Sequence, residues 1–209
     1  MSFIYKEFPN TGFMEVTLSE DELLPIKNEI QEIQSNFNKA WNVNHTLAGN
    51  IAKEYQLVKC KNHINHNLFK YFIDYDNATG CITKSNILTN SAPMVVDNPW
   101  VNFQSKHEFN PPHNHSGVLS FVIWIQIPYN IKDEMNVVNC IKSKSPLAGY
   151  FSFHYINTIG ELSHYHIPAD NTMEGKMIIF PSRLTHSVSP FYTSDQYRIS
   201  VSGNVKFSI

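Results

Sequence analysis

The spacing of apolar residues changes near residue 92. Before it, the pattern is helical. Ser19-Glu20-Asp21-Glu22 is a capping-box sequence, in which the serine caps a helix and the glutamate three residues on reaches back to it. Leu23, Ile26, Ile30, Ile33 and Phe37 follow at helical spacing and predict one amphipathic helix. A short strand is expected within residues 5–16, a second helix over 48–57 and a third over 62–75. The stretch 76–80, Asp-Asn-Ala-Thr-Gly, has turn chemistry.

After residue 92 the runs become short and rich in β-branched and aromatic residues. Strands are expected over residues 95–104, 119–127, 149–156, 161–167, 176–180 and 197–205. Turn signals at 110–112, 157–160, 168–171 and 181–182 separate them. Such regular punctuation predicts a sandwich or barrel. No linker composition separates the two parts. The expectation is a single domain over 1–209: a helical N-terminal support over 1–92 packed on a β core over 93–209.

Composition narrows the function classes. The chain of 209 residues is 42% hydrophobic and 16% charged, enough to bury a core. Its formal net charge of -2 gives no footprint for nucleic acid or an anionic membrane. The three cysteines, Cys60, Cys81 and Cys140, are scattered, which argues against a disulfide framework or a thiolate zinc site. No signal sequence and no apolar run long enough to span a bilayer is seen, so a cytoplasmic protein is expected. The sequence does not indicate an oligomeric state. Of the 16 basic residues only Arg183 and Arg198 are arginines. Sparing use suggests that arginine serves for its fork, which grips a carboxylate as lysine cannot.

The candidate chemistry is in histidines. His113-Asn114-His115 precedes the strongest predicted strand, and side chains two apart on an extended chain face the same way. Alone, the pair is a weak signal and reads rather as an exposed surface loop. His186 opens a strand after the turn at 181–182 and can approach the pair if the sheets close. Arg198 and Ser200 share one face of the last strand, with Ile199 and Val201 on the other. An arginine beside a hydroxyl inside a barrel suits a carboxylate. A second trio, His154, His164 and His166, sits around the 157–160 hairpin and reads mainly as the polar side of a sheet. Asp133-Glu134 lies in a polar loop over 132–145 and reads as solvated. Trp124 reads as a core aromatic. No nucleophile elbow, phosphate loop, dinucleotide fingerprint or HExxH motif is present.

Taken together, Pro-His-Asn-His-Ser-Gly before Leu-Ser-Phe-Val-Ile-Trp, then Phe-Pro-Ser-x-x-x-His-x-Val-x-Pro, then Arg-x-Ser resemble a family of 2-oxoglutarate- and Fe(II)-dependent oxygenases found in bacteria and in T4-like phages of cyanobacteria. For a phage-encoded member the compartment would be the host cytoplasm. The resemblance covers about residues 100–204. It implies a double-stranded β-helix, or jelly roll, with the N-terminal helices packed on it. It implies a metal site of His113, His115 and His186. Arg198 and Ser200 are implied to take the far carboxylate of 2-oxoglutarate, with Asn102 near the co-substrate. His115 stands where the wider superfamily usually has a carboxylate ligand.

The implied reaction consumes O2 and 2-oxoglutarate, releases succinate and CO2, and hydroxylates a substrate, with a peptide or protein side chain as the first expectation. The 132–145 loop is expected to lie over the pocket. Two alternatives remain at this stage: a cupin-like metal enzyme that does not use 2-oxoglutarate, and a non-catalytic β-sandwich binding module.

Overall fold

The computed structural model describes residue 4 and residues 10–85 and 92–208. Among the described residues, ten strands form two antiparallel sheets. The first is six-stranded, in the order β1 (Met14–Thr17), β8 (Lys176–Pro181), β5 (Leu119–Gln126), β10 (Arg198–Phe207), β3 (Met94–Gln104), β2 (Glu54–Gln56). The second is four-stranded: β4 (Asn110–His113), β9 (Thr185–Val188), β6 (Tyr150–Ile156), β7 (Leu162–Pro168). Two facing antiparallel sheets with chain order scrambled across them make a jelly roll.

The six-stranded sheet is covered on both faces, which is why its central strands are almost continuously apolar. Leu119, Phe121 and Ile123 of β5 join a cluster with the helices. Val122 and Trp124, on the other face, pack with Phe151 and Phe153 of the second sheet. Helix α1 (Glu20–Ser35) buries Leu23, Ile26, Ile30 and Ile33, and the predicted capping box is formed in full. The third predicted helix is also present. It runs as α2 (Lys61–His63), a π-helical stretch over Ile64–Leu68, and α3 (Phe69–Thr79). The buried Glu29 carboxylate of α1 accepts the backbone N–H groups of Val58, Lys59 and Cys60 at 2.7, 2.9 and 2.7 Å, capping the start of α2 from a distance.

Several expectations are corrected. Residues 48–57 are not helical; they bridge to the rest of the molecule and end in β2. Asn50 pairs with Phe109 and Glu54 with Asn102, and Gly49 and Asn50 are poor helix formers that yield to these pairings. The N-terminal part thus supplies two strands, β1 and β2, as well as helices. Residues 5–9 of the expected first strand lie outside the described residues.

The Asn110-Pro111-Pro112 stretch is not a turn but most of β4, an edge strand, where prolines lacking an N–H are tolerated. The expected loop over 132–145 begins inside a short helix, α4 (Ile131–Met135), and none of it lines the histidine cavity. Glu134 is not solvated: it is 0% exposed and accepts the backbone N–H groups of Tyr192 and Thr193 at 2.7 and 2.9 Å. The three cysteines are free. Among the described residues no helix is long and apolar enough to cross a membrane.

The helical layer is pinned to the sheet by aromatic packing. Phe72 of α3 is 0% exposed and its ring lies 5.5 Å from that of Phe121. Phe72→Ala should lower unfolding stability by about 3–5 kcal/mol, the usual cost of emptying such a site. Urea denaturation followed by circular dichroism measures it, and a change below about 1 kcal/mol would show that the helices are not docked as described.

Candidate metal centre and cavity

The strand register brings the histidines together. β4 pairs with β9 so that His113 stands directly opposite His186. β4 ends at His113, and the chain turns into a loop fixed by the His115 backbone N–H donating to Ser182 at 2.9 Å. That turn swings His115 back toward its neighbours. Ring centroids are 4.4 Å apart for His113 and His186, 4.9 Å for His113 and His115, and 5.0 Å for His115 and His186. Each ring offers one ligand atom, all lying within 4.8 Å of one another, and no other such group occurs among the described residues.

The donor chemistry suits a divalent metal. Burial, with His113 beside it, pushes His115 down to about 4, and burial, with His113 again, pushes His186 down to about 3. Burial likewise holds His113 below the ordinary imidazole range. At neutral pH the rings are therefore uncharged and their lone pairs free. Nδ1 of His113 lies 2.7 Å from the Pro111 carbonyl, and Nδ1 of His186 lies 3.0 Å from that of Leu184. A carbonyl only accepts, so both Nδ1 atoms carry the proton and Nε2 is left to bind metal. Phe151 stacks on His186 at 5.4 Å with the rings 15° apart and shields it.

Arg198 lines the same cavity and is 2% exposed, whereas Arg183 is exposed. Its Nε donates to Gln104 Oε1 at 3.0 Å, and Nη2 donates to the same oxygen. Nη1 donates to the Tyr129 hydroxyl at 2.7 Å and the Gly149 carbonyl at 3.3 Å, and Nη2 to the Ser189 carbonyl at 3.4 Å. All four partners are neutral, and among the described residues no carboxylate forms an ion pair with it. A buried cation without a counter-charge is costly and points to an anionic ligand.

Ser200 and Asn102 face this cavity too. Asn102 Nδ2 donates to the Ser200 and Ser202 hydroxyls, both at 3.3 Å, and its Oδ1 accepts from Trp100 Nε1 at 3.1 Å. Trp124 is both a core residue and a cavity wall. The second trio stays apart on the polar side of the β6–β7 hairpin. There His154 Nδ1 meets His164 Nδ1 at 2.8 Å, while His166 Nδ1 meets Ser152 Oγ at 2.8 Å.

Sequence reasoning missed Tyr129, which holds the Arg198 guanidinium, and two residues that line the cavity, Asn110 and Glu54. Tyr129 carries the guanidinium contact but sits in a loop without periodic signal. Asn110 was hidden in a stretch read as a turn. Glu54 was hidden in a stretch read as a helix, yet it is 1% exposed and lines the cavity. Burial, with Glu108 nearby, pushes its carboxyl up to about 8.

A folded value above the unfolded one of 4.5 has a definite consequence. The contribution to stability is complete below the unfolded value and is lost as pH rises through about 8. Glu54→Gln should therefore gain stability relative to the unsubstituted chain as pH rises from about 5 to 8. Melting temperatures of both proteins across that range measure it; a constant difference would mean that Glu54 titrates normally.

The family described as "Putative 2OG-Fe(II) oxygenase" matches residues 98–204, a span holding all three histidines, Arg198 and Ser200. No curated protein matches the sequence. Among solved structures the fold is similar to that of a prolyl-4-hydroxylase from Pseudomonas putida, with TM-score 0.54, 11% identity, and 95% of this chain and 94% of that one covered. It is also similar to SnoN, a non-heme alpha-ketoglutarate-dependent epimerase from nogalamycin biosynthesis, with TM-score 0.58, 11% identity, and coverage of 94% and 77%. A third similar structure is the viral collagen prolyl hydroxylase of Paramecium bursaria Chlorella virus-1, with TM-score 0.50, 11% identity, and coverage of 94% and 96%. At such identity the likeness speaks for the fold, and the family match over half the chain speaks for the chemistry: this chain belongs to the 2OG-Fe(II) oxygenases, oxidoreductases that use Fe(II) and 2-oxoglutarate.

Proposed function

We propose that the chain is a 2-oxoglutarate-dependent hydroxylase in which His113, His115 and His186 hold Fe(II) and Arg198, with Ser200, binds the far carboxylate of 2-oxoglutarate. The observation that carries this reading is Arg198: a buried guanidinium without a carboxylate partner, in one cavity with three uncharged imidazoles. A metal enzyme that did not use an acidic co-substrate would leave that charge uncompensated.

Iron, when bound, would supply the redox chemistry by which O2 decarboxylates 2-oxoglutarate and oxidises a substrate C–H bond, one oxygen atom entering succinate and the other the alcohol, with CO2 released. The protein binds, orients and shields. Gln104 and Tyr129 hold the guanidinium in place, and a carboxylate would take over the Nη1 and Nη2 protons that make only the long contacts to the Gly149 and Ser189 carbonyls, at 3.3 and 3.4 Å. Asn102 steadies the Ser200 hydroxyl for a second hydrogen bond. Trp124 and Phe151 keep water from the reacting centre. With His115 in place of a carboxylate, the protein offers Fe(II) three neutral ligands, so the metal keeps its full positive charge toward an anionic co-substrate. A peptide or protein side chain is the proposed substrate, a reading supported by the two prolyl hydroxylases of similar fold.

Anaerobic addition of Fe(II) and then 2-oxoglutarate should produce a weak visible charge-transfer band. Arg198→Ala should raise the 2-oxoglutarate concentration needed for the band by about tenfold or more, the worth of a hydrogen-bonded charge pair. His186→Ala should abolish metal uptake. A band unchanged in Arg198→Ala removes the carboxylate role, and iron bound without any band removes the co-substrate.

A further inference from the structure

The cavity has an acidic end that the metal and co-substrate do not use. Glu54 Oε2 and Asn110 Oδ1 are buried side-chain oxygens without hydrogen-bond partners. Both residues line the cavity that holds the histidines. Glu54 stands in register with Asn102, and Asn102 with Ser200, so one row of side chains runs from β2 across β3 to β10. Asn110 lies on β4, the strand that carries His113.

Gly49 leaves room for the Asn110 amide beside the Glu54 side chain. A Cβ at Gly49 would lie 2.0 Å from Asn110 Oδ1 and 3.3 Å from Glu54 Oε1, so only glycine leaves the amide its place. The nearest basic residue in sequence, Lys53, is committed elsewhere: its Nζ donates to the Tyr197 hydroxyl at 2.5 Å and lies over the rings of Phe37 and Tyr197. Among the described residues no basic side chain forms an ion pair with Glu54.

We infer that this end of the cavity binds a protonated amine or guanidinium group of the substrate, held between the Glu54 carboxylate and the Asn110 amide oxygen. Glu54 Oε2 and Asn110 Oδ1 are two buried acceptors with no donor bonded to either, and orphaned buried acceptors are costly. A hydroxyl or a single amide N–H has one proton to give and satisfies one of them. An ammonium has three N–H donors and a guanidinium five, so either satisfies both and adds the missing counter-charge. The raised Glu54 carboxyl fits a group that becomes ionised when such a cation arrives. A half-turn of the Asn110 amide would instead offer its own NH2 to Glu54 and leave no need for a ligand; the experiment separates the two.

The inference rests on the oxygenase reading only in calling the bound molecule a substrate. The test uses the full chain, both metal-free and loaded with Zn2+ and 2-oxoglutarate so that no turnover occurs. N-acetyl-lysine methylamide, N-acetyl-arginine methylamide and the uncharged N-acetyl-norleucine methylamide are titrated in, with binding read from NMR shifts. At least one cationic probe should bind about tenfold or more tighter than the norleucine probe, and Glu54→Gln should shrink that preference to within about twofold.

The melting curve of Glu54→Gln confirms that the variant folds. Equal binding of the three probes, a preference that survives Glu54→Gln, or no saturable shift up to the solubility of the probes would each overturn the inference. A preference that persists while iron and 2-oxoglutarate fail to bind would leave this site standing and remove the oxygenase reading alone.

Discussion

The guanidinium of Arg198 is the constraint around which the rest of the cavity is arranged. A charge that is 2% exposed must have every N–H aimed at an acceptor, and the fold provides acceptors from four places in the chain. Gln104 sits opposite it in register on β3. Tyr129 reaches it from the loop after β5 and stacks on Phe191 with ring centroids 4.7 Å apart. The Gly149 carbonyl approaches because Gly149 has φ of +78° and no side chain; a Cβ there would lie 2.8 Å from the Tyr129 ring. Glu134, buried on α4, ties down the backbone at Tyr192 and Thr193 just after Phe191. Segments that look unrelated in sequence are thus fixed by one buried fork.

This explains what was legible in the sequence and what was not. Elements whose burial is periodic could be read directly. Helix α1 showed both its cap and its apolar stripe. The central strands β5, β8 and β10 showed β-branched runs with turns at their ends. The inward placement of Arg198 and Ser200 against Ile199 and Val201 followed from the two-residue period of a strand, and Ile199 and Val201 do pack under the helices.

Segments held by single long-range pairings left no periodic trace. Glu54 belongs to a strand of three residues, too short to show an alternation. β4 consists mostly of Asn-Pro-Pro, a sequence that normally marks a turn and becomes a strand only because it lies at a sheet edge. His113, His115 and His186 could be nominated by type and spacing. Their convergence, however, depends on the β4–β9 register and on the loop that turns His115 back, neither of which the local sequence specifies.

The buried Arg198 and Glu54 of the cavity show why one ligand does not complete it. Arg198 pairs with Gln104, whereas Glu54 pairs with Asn102, two residues along and on the far side of β3. Strand spacing places their backbones about 12 Å apart. With its carboxyl pushed up to about 8, Glu54 is largely uncharged at neutral pH and gives Arg198 no full counter-charge. The pair cannot neutralise itself, and the histidines in the same cavity carry no charge to share. The cavity thus has a cationic end at Arg198 and an acidic end at Glu54, with the three histidines in the same enclosure. An anionic co-substrate balances the first end and leaves the second unanswered, so the acidic end calls for a second, cationic molecule.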